Sequence, residues 1–144
     1  MLPILNIKLQ SIVMILTRGA LAKICAGQEV IDPVLQVVAF QRAERVTQEE
    51  MYILLLNDGK YFSDMQVVLA PILNNLIHEG EISPFTIIKV KSSRVHAISH
   101  LTKKKLVEIR EVEVIKPGYE VGKTIGRRHL LLHDRGFKGF SRSS

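Results

Sequence analysis

One residue too many sits in the last apolar–polar alternation of this chain. In Leu106–Ile115, Val107 and Ile109 share one face of an extended segment, whereas Val112 and Val114 take the parity of the residues between them. Side chains alternate with a period of two along a strand, so keeping one apolar face through this slip requires a β-bulge. Bulged strands bend, and bent strands let a small sheet curl into a barrel. The preceding Pro84–Ala97 (PFTIIKVKSSRVHA) reads as a long partner strand, and Pro117-Gly118 ends the pair.

The rest of the chain supplies the other elements. Leu16–Gly27 reads as a short helix, with Thr17 as N-cap and Gly27 just past its end. Val30–Phe40 is a strand with Pro33 near its start, and Arg42–Glu50 is a polar loop. Met51–Leu56 is an apolar run suited to a strand buried on both faces. Asn57-Asp58-Gly59 signals a hairpin that returns through Lys60–Ser63. Met65–His78 reads as a helix broken at Pro71. The order is a helix, three strands, a helical crossover and two long strands. It predicts an all-β fold with minor helices, a five-stranded Greek-key barrel of the OB type.

Three segments follow: an apolar N-terminal extension over 1–15, the barrel domain over 16–126, and a basic, disordered tail over 127–144. The opening run (MLPILNIKLQSIVMIL) is shorter than the ~20 residues that span a bilayer, and Asn6, Lys8 and Gln10 interrupt it. It lacks the basic start of a secretory signal. Met14 stands as an alternative start. The lone Cys25 excludes an internal disulfide and suits a small buried helix residue.

Charge is unevenly spread. Residues 1–83 carry a net −3, residues 84–116 a net +5 and residues 117–144 a net +4. Lys89, Lys91 and Arg94 lie on the penultimate strand; Lys103, Lys104 and Lys105 open the last one. Antiparallel pairing would bring both groups to one barrel face and its rim, an electrostatic groove for phosphates or an acidic peptide. A solvated surface paired with glutamates is the competing reading. In the tail, Arg127, Arg128, Arg135, Lys138 and Arg142 offer charge, and Phe137 and Phe140 offer rings for base stacking.

Catalytic patterns are incomplete. Gly122-Lys123-Thr124 resembles the end of a phosphate loop, but the required first glycine position is Pro117. The pairs His96/His100 and His129/His133 have i,i+4 spacing, but His96 sits on a strand or loop without a cysteine or acidic partner nearby in sequence and His129/His133 lie in the tail, so no metal is expected. His78 reads as a helix C-terminal dipole partner. Glu108, Glu111 and Glu113 read as strand-surface carboxylates facing basic neighbours. The chain is expected to be no enzyme, with no cofactor, membrane contact or small-molecule substrate.

Several stretches together resemble a known family. They are LTRGALAKI (16–24), PVLQVVAF (33–40), YILLLNDGKYF (52–62), EISPFTII (81–88) and KKKLVEIREVEVIKPGYEVGKTIG (103–126). In this order they are similar to the N-terminal OB-fold domain of the replication protein A large subunit. The resemblance implies a nuclear interaction module of DNA replication and repair. It would dock acidic segments of replication, repair and checkpoint proteins and bind single-stranded DNA weakly. The basic set carrying this would be Arg42, Lys89, Lys91, Arg94, Lys103, Lys104 and Lys105. Cleft positions that are arginine in family members stand here as Gln41, Met51 and Ile53, which removes bidentate carboxylate partners and leaves a greasier groove floor. Two alternatives remain open: a sequence-tolerant nucleic-acid binder using late strands and tail, or a regulatory fragment competing with the full-length large subunit.

Overall fold

Five strands close on one another around a single apolar interior. The structure is a computed structural model, and it describes residues 16–43, 50–63, 65–99, 104–126 and 130–131. Strand β1 (Val34–Arg42) pairs antiparallel with both β2 (Tyr52–Asn57) and β5 (Ile87–Ser99). β5 pairs antiparallel with β6 (Lys104–Lys116), and β6 runs parallel to β4 (Gln66–Leu69). β4 returns antiparallel to β2, which completes the ring. This is the expected OB-type barrel.

The third wall strand differs from the sequence reading. Lys60–Ser63 forms only the short return β3 (Tyr61–Phe62), joined to β2 by the Asn57–Phe62 pair. The wall position belongs to Gln66–Leu69, where the sequence predicts a helix. Val67 and Val68 are β-branched and stiff, favouring a strand, and the apolar run is too short for local helix propensity to prevail. Pro71 starts the helical part rather than breaking it. It opens a 3₁₀ turn (Pro71–Leu73), a site where its missing N–H costs nothing. Helix α2 (Asn74–His78) follows.

The phase slip is resolved as expected. Val90 pairs with Val112 and Ser93 with Ile109, with Ser92 opposite Glu111 between them. Lys91 and Arg110 are thereby left without a pairing partner, one on each strand. Leu35, Val37, Leu54, Leu56, Val67, Leu69, Ile88, Val90, Val107 and Ile109 fill the interior; Val112 and Val114 continue that face beyond the bulge. Each fully buried side chain of this kind contributes roughly 1.5–3 kcal/mol before entropy is counted.

Helix α1 (Ala20–Cys25) covers one barrel end, burying Ala20 and Leu21. Thr17, expected as its cap, does other work. Thr17 Oγ1 accepts a hydrogen bond from the Val34 backbone N–H at 2.9 Å and ties this segment to β1. The cap comes from far along the chain: Leu21 N–H donates to Asp58 Oδ2 at 2.9 Å. Gly27, with φ 83°, ends the helix as expected. Its N–H donates to Ile24 O and the Gln28 N–H to Lys23 O, a Schellman closure.

After β6, helix α3 (Gly118–Val121) and residues 122–126 fold back as a strap over the outside of β1 and β5. Ile125 and Val121 pack there against Val34 and Ile87. Gln36 and Asn57, both fully buried, pin the strap. Gln36 Oε1 accepts from Asn57 Nδ2 (2.8 Å) and from the Ile125 N–H (2.9 Å). Gln36 Nε2 donates to Lys123 O (2.8 Å) and Phe85 O (3.2 Å). Asn57 Nδ2 also donates to Ile125 O at 3.0 Å. The Gly122-Lys123-Thr124 fragment is therefore part of a structural strap. Leu130–Leu131 (β7), within the expected tail, pairs parallel with Tyr61–Phe62. The tail arginines and phenylalanines named above lie outside the described residues.

Candidate docking interface

Alternation gives each wall strand an inward and an outward set. One outward row can be followed across the barrel by register: Gln41 opposite Ile53, Ile53 opposite Val68, Val68 opposite Glu108, and Glu108 opposite Arg94. The row is apolar in the middle, where Ile53 is half-buried and Val68 buried, and polar or charged at its ends. A second row, Gln66–Leu106–His96, runs beside it. Met51, half-buried, precedes β2 at the Gln41 end. The positions where the resemblance expects arginines thus meet on one face, and here they present Gln41, Met51 and Ile53.

The basic residues distribute around this face rather than filling it. Arg94 is exposed and outward, opposite Glu108, and makes no ion pair among the described residues. Glu108 instead lies 3.3 Å from His96 Nε2 and 3.9 Å from Arg110 Nε. Lys89 is half-buried and outward, opposite Glu113. Lys91, at the bulge, turns to Asp32 at 3.5 Å. Arg42 stands at the far end of β1 with its Nε 3.4 Å from Glu50 Oε2.

Lys105 faces the other way. It shares the parity of Val107 and Ile109, and its Nζ donates to the Cys25 carbonyl at 3.1 Å, at the C-terminus of α1. Lys104 opens β6 opposite Ser99, and its side chain lies outside the described residues, as does all of Lys103. Arg94 and Lys89 therefore share the outward surface, Lys91 is drawn to the 27–33 loop, and Lys105 serves the helix.

Sequence reasoning missed a cluster at the Arg42 end. Glu50 Oε1 meets His78 Nε2 at 2.6 Å, and the Glu50 backbone carbonyl accepts from Asn74 Nδ2 at 2.8 Å. His78 does end α2 as expected, but its ring partner comes from 28 residues earlier. Tyr52 packs edge-on against both Phe40 and His78, each at 6.0 Å between centroids. Burial pushes the Tyr52 phenol above its ordinary pKa, and the Glu50 carboxylate beside it adds to the shift. The cluster fastens the root of the 43–50 loop to α2. No local motif marks it, because its members come from four separate elements.

The family model for the N-terminal domain of replication factor-A protein 1 matches residues 16–117. The chain belongs to this family. It is 36% identical over 115 residues to the replication protein A 70 kDa DNA-binding subunit of Drosophila melanogaster, covering 77% of this chain and 18% of that one. The same protein from Gallus gallus is 30% identical over 111 residues, with the same two shares. A replication protein A 70 kDa DNA-binding subunit of Arabidopsis thaliana is 31% identical over 107 residues, 70% of this chain and 13% of the relative. The chain thus spans less than a fifth of each of these relatives.

Proposed function

We propose that this replication-factor-A domain is a docking module of the nuclear DNA replication and repair apparatus. It takes acidic segments of replication, repair or checkpoint proteins on the outward face and contacts single-stranded DNA weakly. The observation that supports this is the outward row itself. Its apolar centre, half-buried Ile53 beside buried Val68, is flanked by Arg94 and by the Gln41–Arg42 end. An amphipathic segment with an apolar stripe and acidic edges matches that order. Arg42, Lys91 and Arg110 already hold a carboxylate, so fewer cations remain for phosphates, and a salt slope of about 0.7 per contacted phosphate would stay shallow. In this reading the module acts by binding and not by catalysis.

The test is a titration of an acidic amphipathic peptide and of a single-stranded oligonucleotide against the wild type and an Arg42→Glu, Lys104→Glu variant. Both substitutions sit on exposed or strand-terminal positions, so the fold is kept. Affinity for the peptide should fall about tenfold or more, the scale of losing charge-assisted contacts. Unchanged affinity for both ligands would remove the outward face from the reading.

A further inference from the structure

β5 is longer than the strand beside it. Its pairing with β1 ends at Val34–Lys89, and the Val90 N–H to Pro33 carbonyl bond (2.9 Å) is the last link. The chain before β1 then turns away through residues 27–33. β5 nevertheless continues to Ser99, bonded on its β6 side alone among the described residues. From Ser93 to Ala97 that pairing is regular, with no bulge. Edge strands are usually shortened, bulged or covered. Here the bulge protects only Lys91–Ser93, and a regular edge follows.

A cavity of about 620 Å³ opens along this edge. Ile24, Val30 and Ile31 line it from the α1 side, and Ser93 and Val95 from β5. Two of these apolar side chains are unusually open: Ile31 is 82% exposed and Val95 48%. On the opposite face of β5, between Ser93 and Val95, stands Arg94, exposed and without an ion pair among the described residues.

We propose that the β5 edge from Ser93 to Ala97 accepts an extended peptide as an added strand, with the sequence pattern apolar–acidic–apolar. Main-chain hydrogen bonds to the unpaired edge supply register and affinity. Side chains opposite Ser93 and Val95 share their face and enter the cavity between Val95 and Ile31. The side chain between them points outward and lies beside Arg94, which selects a carboxylate. This surface is separate from the Arg42 end of the outward row and stands without it.

The probe is an eight-residue, end-blocked peptide alternating valine and glutamate, fluorescently labelled and followed by anisotropy. It is used in three forms: unmodified, N-methylated at every valine, and N-methylated at every glutamate. In an added strand all valine N–H groups point to one side and all glutamate N–H groups to the other. One N-methylated form should bind like the parent and the other should not bind. Val95→Asp, at a half-exposed position, should abolish binding, and Arg94→Glu should weaken it about tenfold. Arg42→Glu should leave it unchanged, which keeps this outcome distinct from that of the outward-face titration. The proposal is overturned if both N-methylated forms behave alike or if Val95→Asp binds like the wild type. It is also overturned if sedimentation shows a dimer that Val95→Asp dissolves, since a second copy would then own the edge.

Discussion

The strap over β1 and the free edge of β5 lie on the same barrel and are built in opposite ways. Under the strap, Gln36 meets four hydrogen-bond partners and Asn57 completes its own set, with both side chains fully buried. Among the described residues, the β5 edge has Arg94 exposed and unpaired, Val95 half-exposed, and a ladder partner on one side only. Buried polar groups are costly unless every bond is made, so the first region fixes one conformation. The second leaves hydrogen-bonding and apolar capacity unspent. The strap thus locks one part of the small sheet, and the proposed contact uses another.

The sharpest way to break this contrast is at Gly118. An added Cβ there would overlap the Pro84 carbonyl oxygen, a backbone atom that cannot swing aside, and crowd Ser83 Oγ. Gly118→Ala must therefore shift the start of the strap, at about 3 kcal/mol, the upper range for overpacking. Urea unfolding should show a lower midpoint with an unchanged slope. A loss below about 0.5 kcal/mol would mean that the strap adds little to the fold.

Next is Asn57→Ala. It removes two donors and one acceptor from the network, leaving Ile125 O and the Gly59 N–H unpaired. The expected loss is about 2–3 kcal/mol, because the Ile125 carbonyl left behind is buried and the Gly59 N–H partly so. A double-mutant cycle with Gln36→Ala should show coupling of about 1 kcal/mol or more. Additive losses would dissolve the idea of a single pinned unit. The corresponding polar changes on the β5 edge should fall within about 0.5 kcal/mol, as exposed charges do.

These two regions were not equally legible in the sequence. The bulge was, because alternation is local and the parity change between Ile109 and Val112 needs no knowledge of partners. Gly27 was legible for the same reason. The wall strand Gln66–Leu69 was not, because so short a stretch carries too little periodicity to outvote the helix-like run that follows. Lys105 was recoverable: it shares parity with Val107 and Ile109, so its inward direction follows from the same counting that found the bulge. The outward row from Gln41 to Arg94 could not be read, since it depends on the parallel β4–β6 contact between segments far apart in sequence. The Gln36–Asn57 network was hidden likewise, as both residues look like ordinary polar strand and turn positions until the strap covers them.

The smallest effect belongs to Tyr52, at the Arg42 end, and it tests whether that end is packed like the strap or open like the edge. Its phenol is held above the ordinary value of 10.0, first by burial and then by Glu50. The native state therefore keeps the Tyr52 proton more tightly than the unfolded chain does. Linkage then fixes the sign: this contribution is fully present below pH 10.0 and is lost as pH rises through the native value. Stability of the wild type should decline above that pH more steeply than that of Tyr52→Phe, which keeps the ring contacts with Phe40 and His78 but has no proton to lose. Chemical unfolding at pH 9 and pH 11 measures the difference. Parallel curves for the two proteins would show that Tyr52 ionises as freely in the fold as out of it, and the Glu50 cluster would then belong with the open edge rather than with the strap.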